Sequence, residues 1–552
     1  MGLVFLHPHR AAAVRTGHFL CPGPLRLLHH ALLRAYQIVR FRHALHPSAP
    51  GRLIPALSVF IRISHSAQLA VFCSCINYNI FNAVLIETDH LAKKQKGVLQ
   101  DMYQYYTDPN QFDAPSDSQR IQMAVNEAAA NGCGKVLIPA YNKRTGTNLW
   151  EIGETIELPS HIYVEINHAH LRMKDGVFCQ MFRNSNAFLE EGRTPDGLQE
   201  DIIIQGVGRA LLDGGTHNGL RERGPRLPGM PPIVHNLTIY MHHVRNFKID
   251  GLTIRDQRWY GMGFAFAWEG VISNIRFEIT DKSSRTSQTH PWRNQDGVDL
   301  RLGCHDIQIL NLTGETCDDV VALTALSDPD LPNFETRSAC PHLPSDIYNV
   351  SIRSITAFNN HCALVRLLCH NGKQVYNISI DNLIDTTPDD TPTEVENGIR
   401  TACCVKIGEN DYYHNDLSKR CSHGDMRNIS VSNIFSSARC AVDLNCSVKD
   451  LIVRNVFVGK MGCHALAVSK IKFGIYDEQN NPVNVTFAEN VLVDGIRYAS
   501  QRADGVPFYF DALVAKNFVV RNVAVTGTQK LVEDRRHQAG TQAVVFENVV
   551  MD

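Results

Sequence analysis

The sequence predicts an all-β chain wound as a single-stranded, right-handed parallel β-helix, a solenoid closed by an N-terminal capping helix. Three observations predict it: a recurring strand phrase, a spacing short enough for one coil, and an amphipathic helix ahead of the first copy. The phrase reads Asn or Asp, apolar, any, apolar, any, Asn or Gly, apolar. It occurs as DIIIQGV from Asp201, NFKIDGL from Asn246, DIQILNL from Asp306, NVSIRSI from Asn349 and NISIDNL from Asn377. It returns as NISVSNI from Asn428, DLIVRNV from Asp450, NVLVDGI from Asn490 and NFVVRNV from Asn517, with a fragment, NVV, at Asn548. Period-two alternation over so few residues argues strands, and the polar residues bounding each unit argue corners. One such strand cannot bury its apolar face alone, so copies must stack into a shared core. The step from Asn428 to Asp450 is 22 residues and that from Asn349 to Asn377 is 28, each one coil. Stacked coils pair equivalent strands about 4.8 Å apart. Asn at successive corners can then hydrogen-bond along a ladder, which explains its recurrence without invoking function. A propeller or sandwich would need Asn-Gly hairpins between strands, and these are scarce.

The chain opens differently. In SDSQRIQMAVNEAAANGCGKVLIPA, Ser116 or Asp117 can cap a helix with an apolar face of Ile121, Ala124, Val125, Ala128 and Ala129, ended by Gly132. Such a helix covers the first coil, whose core and strand edge would otherwise lie open.

Residues 1–86 contain no Asp, Glu or Lys but eight Arg and eight of the 25 His, and the first acid is Glu87. We therefore divide the chain into an Arg-rich leader, 1–101, outside the fold, and a β-helix catalytic domain, 102–552. The leader is an over-extended start before Met102 or a targeting segment; neither an organelle transit peptide nor a secretory signal fits it cleanly. Its apolar stretch from Gln68 to Ile86 is broken by Asn77, Asn79 and Asn82, which argues against a membrane span.

With 44% hydrophobic residues, 20% charged residues and a formal net charge of −2, the chain has no basic excess for nucleic acid. Its 16 Cys include no CxxC pair at zinc-ribbon spacing, so neither a structural metal nor a cofactor is expected. The neighbours Cys403 and Cys404 read as small buried hydrophobes. Free thiols point to a reducing, cytoplasmic compartment rather than secretion. The oligomeric state is left open.

The residues just ahead of successive strands form a column: Tyr260, Asp296, Asp319, His361 and the stretch from Arg400 to Lys406. Asp296 and Asp319 are 23 residues apart, one minimal coil, so stacking makes their carboxylates neighbours. Hydrolysis of a glycosidic bond needs one carboxylic acid to protonate the leaving oxygen and one carboxylate to activate water. Carboxyls this close cannot all ionise at neutral pH, which supplies the acid. Asp318, adjacent to Asp319, completes the set. Asp299 reads only as a strand position and Asp306 as a corner. Arg400 and Lys406 can bind a uronate carboxylate. Trp259 and Tyr260, one coil earlier, offer a stacking platform for a sugar ring, or ordinary packing.

These motifs carry a resemblance. The helix followed by GKVLIPA and TIELPSHIYVEI resembles the opening of pectate-lyase-superfamily β-helix proteins. NQDGVDL from Asn294 followed by CDDVVAL from Cys317 resembles the NTD and GDD motifs of polygalacturonase-type glycoside hydrolases, family 28. The resemblance implies general-acid and water-activating roles for Asp296, Asp318 and Asp319, inversion at the anomeric carbon, and His361 standing where the family has Gly-His-Gly. It implies a pectin-like or other uronate-containing polysaccharide or oligosaccharide as partner. The chain departs from the family at Gln295, Cys317, Asn360 and Cys362, and the family's Arg-Ile-Lys element is only approximated around Gly398 to Lys406. Two rival readings stand beside hydrolysis: a lyase or uronate epimerase on the same fold, which wants a Lys, Arg or His base, and a non-catalytic, tailspike-like carbohydrate binder.

Overall fold

The computed structural model describes residues 106–552 except 133, 221, 223–227, 281–293, 327–338, 361, 390, 392–399, 410–419, 469–484, 537 and 539–540. The expected leader, His361 and most of two long sequence excursions, 327–345 and 386–399, fall outside the described residues. The described residues belong to one compact unit, Lys96–Asp552.

That unit is a right-handed parallel β-helix. Each strand pairs in parallel with its equivalent one coil on: Ile347–Asn359 with Val375–Asp385, then Met426–Ser436, Val448–Val458, Thr486–Tyr498 and Leu513–Val525. Ile352, Ile380, Val431, Val453, Val493 and Val520 are in register along this stack and fully buried. Burying each side chain contributes about 1.5–3 kcal/mol, an upper bound for any denatured state that is already compact.

The Asn or Asp that begins each repeat sits inside a long strand rather than at its end. Asp201, Asn246, Asp306, Asn349, Asn377, Asn428, Asp450, Asn490 and Asn517 all have φ between 53 and 60°, and Asn548, which register places opposite Asn522 instead, has φ 52°. Asn and Asp enter this left-handed region more readily than other L-residues, so each marks a bend. The amides then chain along the axis: Asn377 Nδ2 donates to Asn349 Oδ1 at 2.9 Å, and Asn428 Nδ2 to Asn377 Oδ1 at 3.1 Å. A parallel ladder joins Asn455 to Asn433 at 3.1 Å and Asn548 to Asn522 at 2.7 Å. On another outward face Trp268, His305, Tyr348 and Tyr376 stack ring on ring, with centroids 5.5, 4.6 and 5.1 Å apart, and Arg427 covers the last ring at 4.2 Å.

The opening helix is Asp117–Ala130, with the Ser116 side chain accepting from Gln119 N at 3.2 Å. Ile121, Ala124, Val125 and Ala128 are buried on its core face. Among the described residues no helix is long and apolar enough to cross a membrane.

Candidate active site

Short strands one coil apart build the site: Val298–Leu300, Val321–Ala325, Ala363–Cys369 and Cys403–Ile407, with Val298, Val321, Val365 and Val405 in register. Asp296 and Asp319 each precede their strand by the same two residues, so they stack. Gly297 permits the close approach: a Cβ there would lie 2.4 Å from Val320 O and 2.8 Å from the Phe277 ring. Gly297 N donates to Asp319 O at 2.9 Å. Beneath this turn Gln257 Nε2 donates to the carbonyls of Gln295 and Asp296, each at 3.2 Å, and Gln295 Nε2 returns a bond to Gln257 O at 2.7 Å. Gln295, where the family motif has Thr, therefore braces the backbone that presents Asp296.

Asp296, Asp299 and Asp319 are 1, 0 and 1% exposed. Asp296 Oδ1 and both Asp299 oxygens are buried without a hydrogen-bond partner. Burial, with Asp318, Asp299 and Asp319 nearby, holds the Asp296 carboxyl well above the usual carboxylate range. Burial also pushes Asp299 up to about 8, against the pull of Arg301 and Arg366. Asp319 is pushed up by burial to about 7, restrained by Arg366. Its Oδ1 accepts from Ala363 N at 2.8 Å, and its Oδ2 lies 2.8 Å from Arg366 Nε as an ion pair too poorly aimed for a hydrogen bond. Asp318 is half-buried, and its Oδ1 accepts from Asp319 N at 3.0 Å.

Asp318, Asp319 and Cys362 each bring one possible ligand atom within 4.8 Å of the others. Without a cation, burial and the two carboxylates push the Cys362 thiol well above its ordinary range.

The sequence-nominated residues divide. Asp296, Asp318 and Asp319 come together. The residue in register with Asp319 is Ala363, whose amide donates to it, and His361 lies outside the described residues. Lys406 is close, but its Nζ lies 2.7 Å from Glu409 Oε1. Arg400 is elsewhere: the residue in register is Cys403, and the Arg400 guanidinium is spent on the carbonyls of Ser437 and of Thr391, the latter at 3.2 Å. Trp259 and Tyr260, 0 and 3% exposed, are stacked on each other at 3.8 Å within a core cluster with Leu237 and Tyr240, so the packing reading replaces the sugar platform.

Three residues were missed: Asp299, Arg366 and Glu409. Register could have found the first two, because the residues three beyond the Asp296 column form a second outward column. It runs Asp299, Ala322, Arg366, Lys406, Asp443.

Fold and site together define a class, parallel β-helix proteins with buried carboxyls on adjacent coils. Within it, residues 232–335, the segment holding all four aspartates, match the model of glycosyl hydrolases family 28. Comparison with curated protein sequences finds no match. Among solved structures the chain is similar to an exopolygalacturonase from Thermotoga maritima, at 13% identity and a TM-score of 0.46 over 81% of this chain and 92% of that one. It is also similar to a mannuronan C-5 epimerase A-module from Azotobacter vinelandii, at 11% identity and a TM-score of 0.47 over 81% and 99%. A third is a tailspike mutant of E. coli bacteriophage HK620, at 12% identity and a TM-score of 0.45 over 82% and 79%.

Proposed function

We propose that the chain hydrolyses an O-glycosidic bond in a pectin-like or other uronate-containing polysaccharide, with Asp296, Asp318 and Asp319 as the reacting carboxyls and no metal. One observation carries the reading: Asp296 and Asp319 are buried on adjacent coils, and Asp296 Oδ1 has no hydrogen-bond partner there, an arrangement that costs stability and that a structural corner has no use for. Burial holds Asp296 and Asp319 above the usual carboxylate range, so a proton is retained near neutral pH, which supplies the general acid. Asp319, held by Arg366 and the Ala363 amide, is the member best kept ionised to activate water. Asp318, the half-buried member, is where the substrate meets the group. Inversion follows from the family resemblance.

The test is reducing-end release from pectins, rhamnogalacturonans and other polysaccharides, comparing the chain with its Asp319→Asn form. Release that vanishes in the variant supports hydrolysis. An unsaturated uronate product would establish a lyase instead, and release from no polymer by either form would remove the enzymatic reading.

A further inference from the structure

Beside Asp319 the second column places Arg366 and Lys406 on adjacent strands, in register. On a bare surface this pair would be a seat for the carboxylate of a uronate, since a guanidinium and an ammonium side by side bind such a group from two directions. Here the seat is filled from within the chain. Glu409, two residues past the strand Cys403–Ile407, sets Oε2 3.3 Å from Arg366 Nη1 and Oε1 2.7 Å from Lys406 Nζ. Each carboxylate oxygen takes one cation, which is how a bound uronate would divide itself. All three side chains are largely buried, with relative exposures of 17, 22 and 23% for Arg366, Lys406 and Glu409, so water screens the contacts poorly. Burial opposes ionisation of Glu409, yet Lys406 and Arg366 outweigh it and hold its carboxyl at about 2.

The surrounding charge points the same way. Asp296, Asp299, Asp318, Asp319, Glu409 and Asp443 outnumber the guanidinium and ammonium groups of Arg301, Arg366 and Lys406 that act on them, with His370 also acting on Glu409. An added carboxylate would have to displace Glu409 and enter a cluster already rich in acid, and like charges brought together this way are rejected rather than bound.

We propose that Glu409 determines specificity: its carboxylate occupies the place a uronate carboxylate would take on Arg366 and Lys406, so the sugar unit bound beside Asp318 and Asp319 is neutral. This rests on the hydrolase reading for the position of the subsite, and it narrows that reading to polymers whose cleaved unit carries no carboxylate, whatever uronates lie elsewhere in the chain.

Methyl α-galactoside and methyl α-galacturonide differ only in a hydroxymethyl against a carboxylate and undergo no confounding chain cleavage, so their binding can be followed by NMR titration with wild type and Glu409→Gln. The wild type is expected to favour the galactoside. Glu409→Gln is expected to gain roughly tenfold to hundredfold in galacturonide affinity, the worth of one charge-assisted contact made available. Adding Lys406→Met to Glu409→Gln should remove the gain, which shows that the gain comes from the vacated cation rather than from loosened structure. Circular dichroism of each variant checks the fold, and Glu409→Ser serves if Glu409→Gln does not fold. Tighter galacturonide than galactoside binding by the wild type overturns the inference, as does the absence of any gain on replacing Glu409. Because this readout needs no turnover, it separates a wrong specificity from a wrong reaction: a chain that gains galacturonide binding yet releases no reducing ends loses the hydrolase reading alone.

Discussion

Asp250, Asp306, Asp381 and Asp494 stand at the outer bends of the coils, whereas Asp296 and Asp319 stand on the turns that lead into the short strands and Asp299 within the first of those strands. The corner aspartates are saturated with donors. Asp250 accepts from Ser273 and Asn274 at 2.7 Å each and from Gln205 at 2.8 Å, and these bonds overcome burial to bring its carboxyl down to about 2. Asp306, Asp381 and Asp494 are lowered as well, with Asn349, Ser432 and Arg521 among their partners. Asp296, Asp299 and Asp319 are buried and short of donors, and all three are raised. One residue type on one scaffold thus takes opposite ionisation, and the supply of hydrogen-bond donors decides which.

The comparison is broken most directly by exchanging carboxylate for amide in each set. Asp319→Asn should lower kcat/KM on the responsive polymer by about 10²–10⁴-fold, the usual worth of a positioned acid or base, while Asp306→Asn leaves it unchanged. Equal losses in steady-state assays would mean that the two sets do not differ in function. Arg366→Met should move the acidic limb of the pH–rate profile upward, because the cation that restrains Asp319 at about 7 is gone. A limb that stays in place would remove Arg366 from the site's chemistry.

Stability against pH sharpens the same contrast. Asp299 has a folded value of about 8 against roughly 3.9 unfolded, so the stability of its protonated form is complete below the lower value and is lost as pH rises through the higher. Thermal melts of Asp299→Asn should therefore match wild type near pH 4 and exceed it at pH 9. Asp250 behaves in reverse, contributing above roughly 3.9 and losing that contribution as pH falls through about 2, so Asp250→Asn should flatten the acid side of the curve. Asn377→Ala removes a residue suited to the left-handed bend together with both its ladder bonds, and should cost about 1–3 kcal/mol in urea melts without touching turnover. Arg400→Gln is expected to move KM least of all, lowering the melting temperature instead, because its guanidinium holds backbone carbonyls.

Much of the fold was legible because the bends demand Asn or Asp at a fixed place in each coil, a constraint that shows directly in the letters. A copy was overlooked between Asn246 and Asp306, where EGVISNI puts Glu269 at φ 54°, a residue the bend tolerates but the pattern did not anticipate. At the site, Asp296 and Asp319 were legible because their coil has no inserted residues and sequence distance equals register. Past Asp319 an excursion intervenes and sequence distance no longer gives register, so the place of Ala363 opposite Asp319 could not be counted. Arg400 failed for the same reason, three residues ahead of Cys403. Glu409 was invisible to any register argument, since it lies beyond its strand and matters through the cations that it meets.

The stacked row of Trp268, His305, Tyr348 and Tyr376 passes through the coils that carry Tyr260, Asp296, Asp319 and Ala363, in that order. The interplanar angle of Trp268 and His305 is 11°, so the indole of one coil rests flat on the imidazole of the next and the row splints the carboxyl-bearing coils from outside.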